Sequence, residues 1–111
     1  MEKRDKLYIR HICDAVDKIL TFTKEKTFEE FESNEMAQSA VIHQLLIIGE
    51  AANKVSDEFQ ITHTELDWRG MIGMRNKLIH DYFRIALDEV WKTIEDDIPD
   101  LKIALKNILN D

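Results

Sequence analysis

Apolar side chains recur every three or four residues over most of this chain, which predicts helices rather than strands. Residues 5–22 carry one apolar stripe, formed by Tyr8, Ile12, Ala15, Val16, Ile19 and Leu20. Residues 35–59 are apolar on nearly all sides between Val41 and Ala52, as expected of a helix at the centre of a bundle. Small residues there, Gly49 among them, would let a neighbouring helix approach closely. The same spacing predicts helices over residues 69–82 and 86–96, and a last helix that ends near residue 109.

The segments between these helices carry cap and break signals. Ser33 or Asn34 can cap the helix that begins at residue 35. Pro99 interrupts the apolar pattern, so we expect a bend or break there, with Asp96 or Asp97 capping a new helix that holds the proline in its first turn. Short connections favour antiparallel neighbours. The expected fold is therefore all-α, an up-and-down antiparallel four-helix bundle with an extra C-terminal helix.

Length and composition agree with this fold class. The 111 residues, 44% hydrophobic and 33% charged, are typical of one soluble globular domain over residues 1–111. Cys13 is the only cysteine, which excludes an intramolecular disulfide and a CxxC metal site. The first residues have charges at helical spacing and do not resemble a signal peptide. Because no apolar run approaches the roughly 20 residues that span a bilayer, we expect a cytoplasmic protein.

The net charge of −7 argues against a strongly basic nucleic-acid binder. Charge is nevertheless uneven, because Arg69, Arg75, Lys77 and Arg84 face only Asp81 between residues 68 and 84, a local +3. Such a patch could contact a short stretch of phosphates. The histidines outside this segment lie on three different segments without metal-ligand spacing: His11, His43 and His63. We therefore expect neither a metal site nor a cofactor.

Most of the chemical information lies in the stretch GMRNKLIHDYF, residues 73–83. At about 100° per residue, Gly73, Asn76 and His80 share one strip of the helix, whereas Arg75 falls within the apolar arc. A guanidinium in apolar surroundings needs a partner, and Glu50, which interrupts the apolar run of the preceding long helix, is the natural candidate. This pair could be only a structural salt bridge between two helices.

The polar strip also has two interpretations. His80 could be a surface residue that Asn76, one turn earlier, hydrogen-bonds. Gly73 favours a functional role, because a glycine within a helix costs about 1 kcal/mol relative to alanine and exposes the backbone. This exposure indicates close approach by a ligand or by a second copy of the helix. Tyr82 could be an aromatic residue at the edge of the core with a solvated hydroxyl.

The order Arg75, four residues, His80, one residue, Tyr82 resembles the R-x4-H-x-Y signature of the HEPN superfamily. The segments RDKLYIRHICDAVDKIL, IIGEAANKVS, WRGMIGMRNKLIHDYF and VWKTIEDDIPDL cover most of the chain. In this order they resemble the HepT-like toxins, the HEPN partners of minimal nucleotidyltransferase (MNT) antitoxins. The resemblance implies an all-α homodimer with metal-independent endoribonuclease activity on RNA.

By the same resemblance, Arg75 and His80 are the expected catalytic residues and Asn76 supports them. Tyr82 matches the tyrosine that the MNT partner modifies with AMP to silence the toxin. Three further residues are expected to assist. Glu50 would pair with the arginine, Gly73 would allow close approach, and Lys77 would belong to the basic patch. The alternative is a non-catalytic HEPN module that binds a nucleotide or a nucleotidyltransferase.

Overall fold

The computed structural model describes residues 1–81 and 84–110. These residues form helices and no strand, which confirms the all-α fold class. The helices are α1 (Lys3–Thr23), α2 (Phe28–Glu32), α3 (Glu35–Lys54), α4 (Asp57–Thr62), α5 (Trp68–His80), α6 (Leu87–Lys92) and α7 (Ile98–Leu109), with a π-helical segment, Thr93–Asp97, joining the last two. Within the described ranges, no helix combines the length and the apolar character needed to cross a membrane.

Helix α3 lies at the centre of the packing. It contacts α1 on one side and α5 on the other, and α7 packs on α1. The central position explains why α3 is apolar on nearly all sides, since its buried residues include Val41, Leu45, Ile48 and Ala52. As predicted, Asn34 caps this helix, its side-chain oxygen accepting a hydrogen bond from the Ala37 N–H at 3.0 Å.

The second predicted helix is in fact two helices. Helix α3 ends at Lys54 rather than at residue 59, and the short helix α4 follows. Ser56 caps α4, its hydroxyl accepting from the Phe59 N–H. Asp5 of α1, buried at 4% exposure, accepts hydrogen bonds from the Ser56 N–H at 2.9 Å and from the Ser56 hydroxyl at 2.7 Å. The apolar pattern continues through Val55 and Phe59, so periodicity does not reveal the break, which the contact of Asp5 with Ser56 stabilises.

The expected break at Pro99 is absent. The chain instead stays helical through the π segment, where the Ile98 N–H donates to the Thr93 carbonyl oxygen. Pro99 lies in the first turn of α7 as predicted, but no side chain caps that helix, so the expected cap by Asp96 or Asp97 is wrong. The missing N–H of proline needs no break here because the wider turn already interrupts the usual hydrogen-bond ladder.

Candidate active site

Helices α3 and α5 approach each other closely at Gly49. A Cβ atom on Gly49 would lie 2.1 Å from the Cβ of Arg75 and 2.9 Å from the carbonyl oxygen of Met71. Both distances are far shorter than the ~3.5 Å of a normal van der Waals contact. Gly49 therefore sets the separation of the two helices and brings the base of the Arg75 side chain against α3.

The Arg75 guanidinium has a partner on each side. Its Nε donates to Oε1 of Glu50 at 2.8 Å, and its Nη2 donates to the same oxygen. Its Nη1 donates to Oδ1 of Asn76, also at 2.8 Å. The side chains of Arg75 and Glu50 are 28% and 45% exposed. The predicted Glu50–Arg75 pair is thus present, and it holds the guanidinium at the protein surface rather than in the core.

The three residues of the predicted polar strip all lie on the surface. Gly73, Asn76 and His80 are exposed, and a Cβ added to Gly73 would find no atom within 4 Å. His80 is the last residue of α5. The Asn76 oxygen accepts from Arg75. The hydrogen bonds among the described residues include none between Asn76 and the His80 ring. Tyr82, the expected modification site, lies outside the described residues.

The basic patch is weaker than its sequence indicates. Lys77 forms an ion pair with Glu89 of α6, and this contact raises the pKa of the Lys77 ammonium group. Glu50 likewise offsets the charge of Arg75. Counting charges between residues 68 and 84 missed both carboxylates, because they belong to other helices. Arg69 and Arg84 enter no ion pair among the residues that the structure describes.

An open groove of about 410 Å³ lies beside the guanidinium, between α1, α3 and the end of α5. It is lined by Tyr8, His11, His43, Leu46, Ile47, Glu50, Ala51, Lys54 and Ile79. Sequence reasoning considered its two histidines only as metal ligands and did not assign them to this groove. For His43 the sequence did contain a usable signal, since positions 43, 47, 50 and 54 share one face of α3. In the described ranges, no three His, Cys, Asp or Glu residues are placed to hold a metal ion.

Comparison with known proteins decides the family. A family model described as "Ribonuclease HepT-like" matches residues 12–108. The chain belongs to the ribonuclease HepT-like family. It is 43% identical over 102 residues to a "Probable ribonuclease HepT" of Thermococcus cleftensis, a match that spans 92% of this chain and 93% of the relative.

Further relatives carry RNase names. A candidate RNase of Methanocaldococcus jannaschii is 38% identical over 92% of this chain and 94% of its own length. Another, from Caldanaerobacter subterraneus, is 35% identical over 96% of both chains. No solved structure gave a significant match. The resemblance to the HepT-like branch of the HEPN superfamily is therefore confirmed, and the protein is an RNase of the HEPN type.

Proposed function

We propose that this HepT-like RNase is a metal-independent endoribonuclease that cleaves RNA by attack of the 2′-hydroxyl, and that it is the toxin of a HEPN/MNT toxin–antitoxin pair. The observation that carries the catalytic part is the Arg75 guanidinium, held by Glu50 and Asn76 at the surface of the helix that ends in His80. A side chain fixed in this way is preorganised, so little reorganisation is needed when it binds a phosphate.

The residue types match the steps of the reaction. The 2′-oxygen loses its proton to a base and attacks phosphorus, and the bond from phosphorus to the 5′-oxygen breaks as an acid protonates that oxygen. The products are a 2′,3′-cyclic phosphate and a free 5′-hydroxyl. A histidine titrates near neutral pH and can act as base or acid, which is the role of His80. The Arg75 guanidinium stabilises the extra negative charge on the phosphate oxygens.

A homodimer would complete this site. One chain supplies one His80, whereas the reaction uses a base and an acid. The surface beside the site suits a second copy, because Gly73 leaves open space and the neighbouring groove is mostly apolar, with Ile79 48% exposed. Glu50 belongs both to this groove and to the Arg75 contact. In a two-fold dimer, a partner on the groove would therefore lie next to Arg75. By symmetry, the Arg75 guanidinium groups of both chains would border the interface.

The direct test of catalysis is incubation of the purified protein with tRNA and mRNA in excess EDTA, followed by mapping of the ends. His80→Ala should lower the cleavage rate by about 10²–10⁴-fold, the usual effect of losing a general acid–base group, with unchanged helical content. His63→Gln, at the end of α4, controls for the loss of a histidine outside the motif. It should cleave normally if circular dichroism shows that it is folded, a check that is needed because the His63 ring stacks on Phe59. Cleavage by His80→Ala at the wild-type rate contradicts the assignment. A wild-type protein that binds a nucleotidyltransferase but never cuts RNA would favour the non-catalytic alternative.

The dimer is tested by light scattering at micromolar concentration. Gly73→Leu should weaken the dimer and its activity more than it weakens folding, because the new side chain occupies open space in the single chain. Asn107→Leu, which adds leucine at an exposed position of α7, controls for the added apolar surface. A wild-type protein that scatters only as a monomer would contradict the two-fold site.

For silencing, we propose AMP transfer from ATP by an MNT partner to the Tyr82 hydroxyl, with release of pyrophosphate. The added phosphodiester would repel RNA phosphates. The purine would occupy space beside His80, which precedes Tyr82 by two residues. Intact-mass spectrometry after co-expression should show one or more AMP additions, which Tyr82→Phe should lack. An unmodified Tyr82 in a fully silenced complex would instead indicate occlusion by the bound antitoxin.

A further inference from the structure

A second concave site lies away from the groove beside Arg75. This pocket, of about 310 Å³, opens between α3, α5, α7 and the loop before α5, and it shares no lining residue with that groove. Its volume is at the lower end of the ~300–1,000 Å³ range of small-molecule sites. The floor is apolar and contains two adaptable methionines. It consists of Leu45, Ile48, Leu66, Met71, Met74, Ile98 and Leu101.

The rim of this pocket carries only negative charge. Glu65, Asp67, Asp97 and Asp100 line it, and no lysine, arginine or histidine does. None of these carboxylates enters an ion pair among the residues that the structure describes. Asp67 accepts a hydrogen bond from the Gly70 N–H at the start of α5, which fixes one carboxylate at the mouth.

The rim carboxylates repel one another electrostatically. Partial burial, together with the charges of Asp96, Asp67 and Asp100, raises the pKa of the Asp97 carboxyl group, although Lys92 opposes the shift. Asp97 and Thr93 both lie in the π-helical segment, and both line the pocket. Single π turns within helices occur often at functional sites. A cation at this mouth would relieve the repulsion among the carboxylates.

We propose that the pocket binds a small organic cation with an apolar body, of the class of a primary amine on a short alkyl or aryl chain. The apolar floor would receive the chain while the rim carboxylates pair with the ammonium group. A bare metal ion fits less well, because no three acidic or histidine side chains in the described part of the chain converge on one point. The negative rim disfavours RNA. The proposal does not depend on the cleavage mechanism.

Titration of the full chain with hexylamine and with hexanol, observed by methyl NMR, tests this site. The amine should shift the methyl signals of Met74 and Leu101 and bind about tenfold more tightly than the alcohol, since only the amine can pair with the carboxylates. The double variant Asp97→Asn/Asp100→Asn should lose most of this preference and keep its affinity for hexanol. Leu101→Trp, which fills the pocket from a half-buried position, should abolish binding of both probes.

The matched control is Asp14→Asn/Glu95→Gln, which removes two exposed carboxylates outside the pocket and changes the net charge equally. It should bind hexylamine as the wild type does. If this control lost the preference for hexylamine as fully as the Asp97→Asn/Asp100→Asn variant, the preference would come from the overall negative charge of the protein. That result would overturn the proposal. Equal affinity for amine and alcohol would also overturn it. So would tighter binding of a Leu-Lys-Leu peptide than of hexylamine, because the natural occupant would then be a polypeptide side chain.

Discussion

Replacing Gly49 with alanine should destabilise the protein although alanine is the better helix former. Alanine gains about 1 kcal/mol over glycine in a helix interior. The new methyl group would lie 2.1 Å from the Arg75 Cβ and 2.9 Å from the Met71 carbonyl oxygen, a backbone atom that cannot rotate away. Reaching a ~3.5 Å contact requires α3 and α5 to separate by about 1.4 Å. Overpacking of this kind costs about 1–3 kcal/mol, and the need to displace backbone places this site at the upper end. After the gain of about 1 kcal/mol in helix propensity is subtracted, we expect a net loss of about 1–2 kcal/mol in the free energy of unfolding.

Gly73→Ala is the matched control, because it makes the same chemical change on the helix that Gly49 faces. Its Cβ would meet nothing within 4 Å, so the helix propensity should act alone and stabilise the chain by up to about 1 kcal/mol. Urea unfolding followed by circular dichroism, at one protein concentration, measures both changes in the free energy of unfolding. That concentration must be low enough for every protein to be monomeric by light scattering, because self-association, which a change at Gly73 is expected to weaken, would add to the apparent stability.

The two variants should change stability in opposite directions. If Gly49→Ala were as stable as the wild type, the close approach of α3 and α5 would not constrain the folded protein and the reasoning would be refuted. Because the same displacement moves Arg75 away from Glu50, Gly49→Ala should also lose RNase activity at temperatures where it remains folded. Retained activity in a destabilised Gly49→Ala protein would separate the packing role of this glycine from any role in positioning Arg75.

Three further changes test the fold. Asp5→Ala should cost about 1–3 kcal/mol in urea unfolding, because it leaves the half-buried Ser56 N–H and hydroxyl without their charged acceptor; a loss below about 0.5 kcal/mol would contradict that role. Phe31→Ala should cost about 3–5 kcal/mol, since Phe31 is 0% exposed and its ring lies 5.2 Å from that of Trp91; a thermal melt at the wild-type temperature would show that α2 is not part of the core. Folding raises the Asp97 pKa, so the folded state binds the proton more tightly and stability falls as pH rises through that pKa. Asp97→Asn should therefore be more stable than the wild type at pH 7. The difference should shrink as the pH falls from the raised folded-state pKa of Asp97 towards the ordinary aspartate pKa of 3.8; an equal difference at all pH values would contradict this cause.

The sequence by itself determined the helical fold class and the central position of α3, and it narrowed the cap of α3 to Ser33 or Asn34. These features depend on local periodicity and on side chains within one turn of the helix end. It also indicated the contact of Glu50 with Arg75, because each is a charged residue in an apolar stretch and a buried charge requires a partner, although the structure places this pair at the surface. The assignments of His80 and Asn76 to catalysis and of Tyr82 to modification remain predictions from the motif.

Only the tertiary structure decided where the helices end and which charges remain available. Ser56, which caps α4 just after the end of α3, is held by Asp5, 51 residues away in the chain. The charge of Lys77 is offset by Glu89, which lies 12 residues later on another helix. The acidic pocket likewise combines α3, α5 and α7. Local periodicity tells which face of a helix is buried, but the helix that covers that face, and the charges it brings, depend on how distant segments pack.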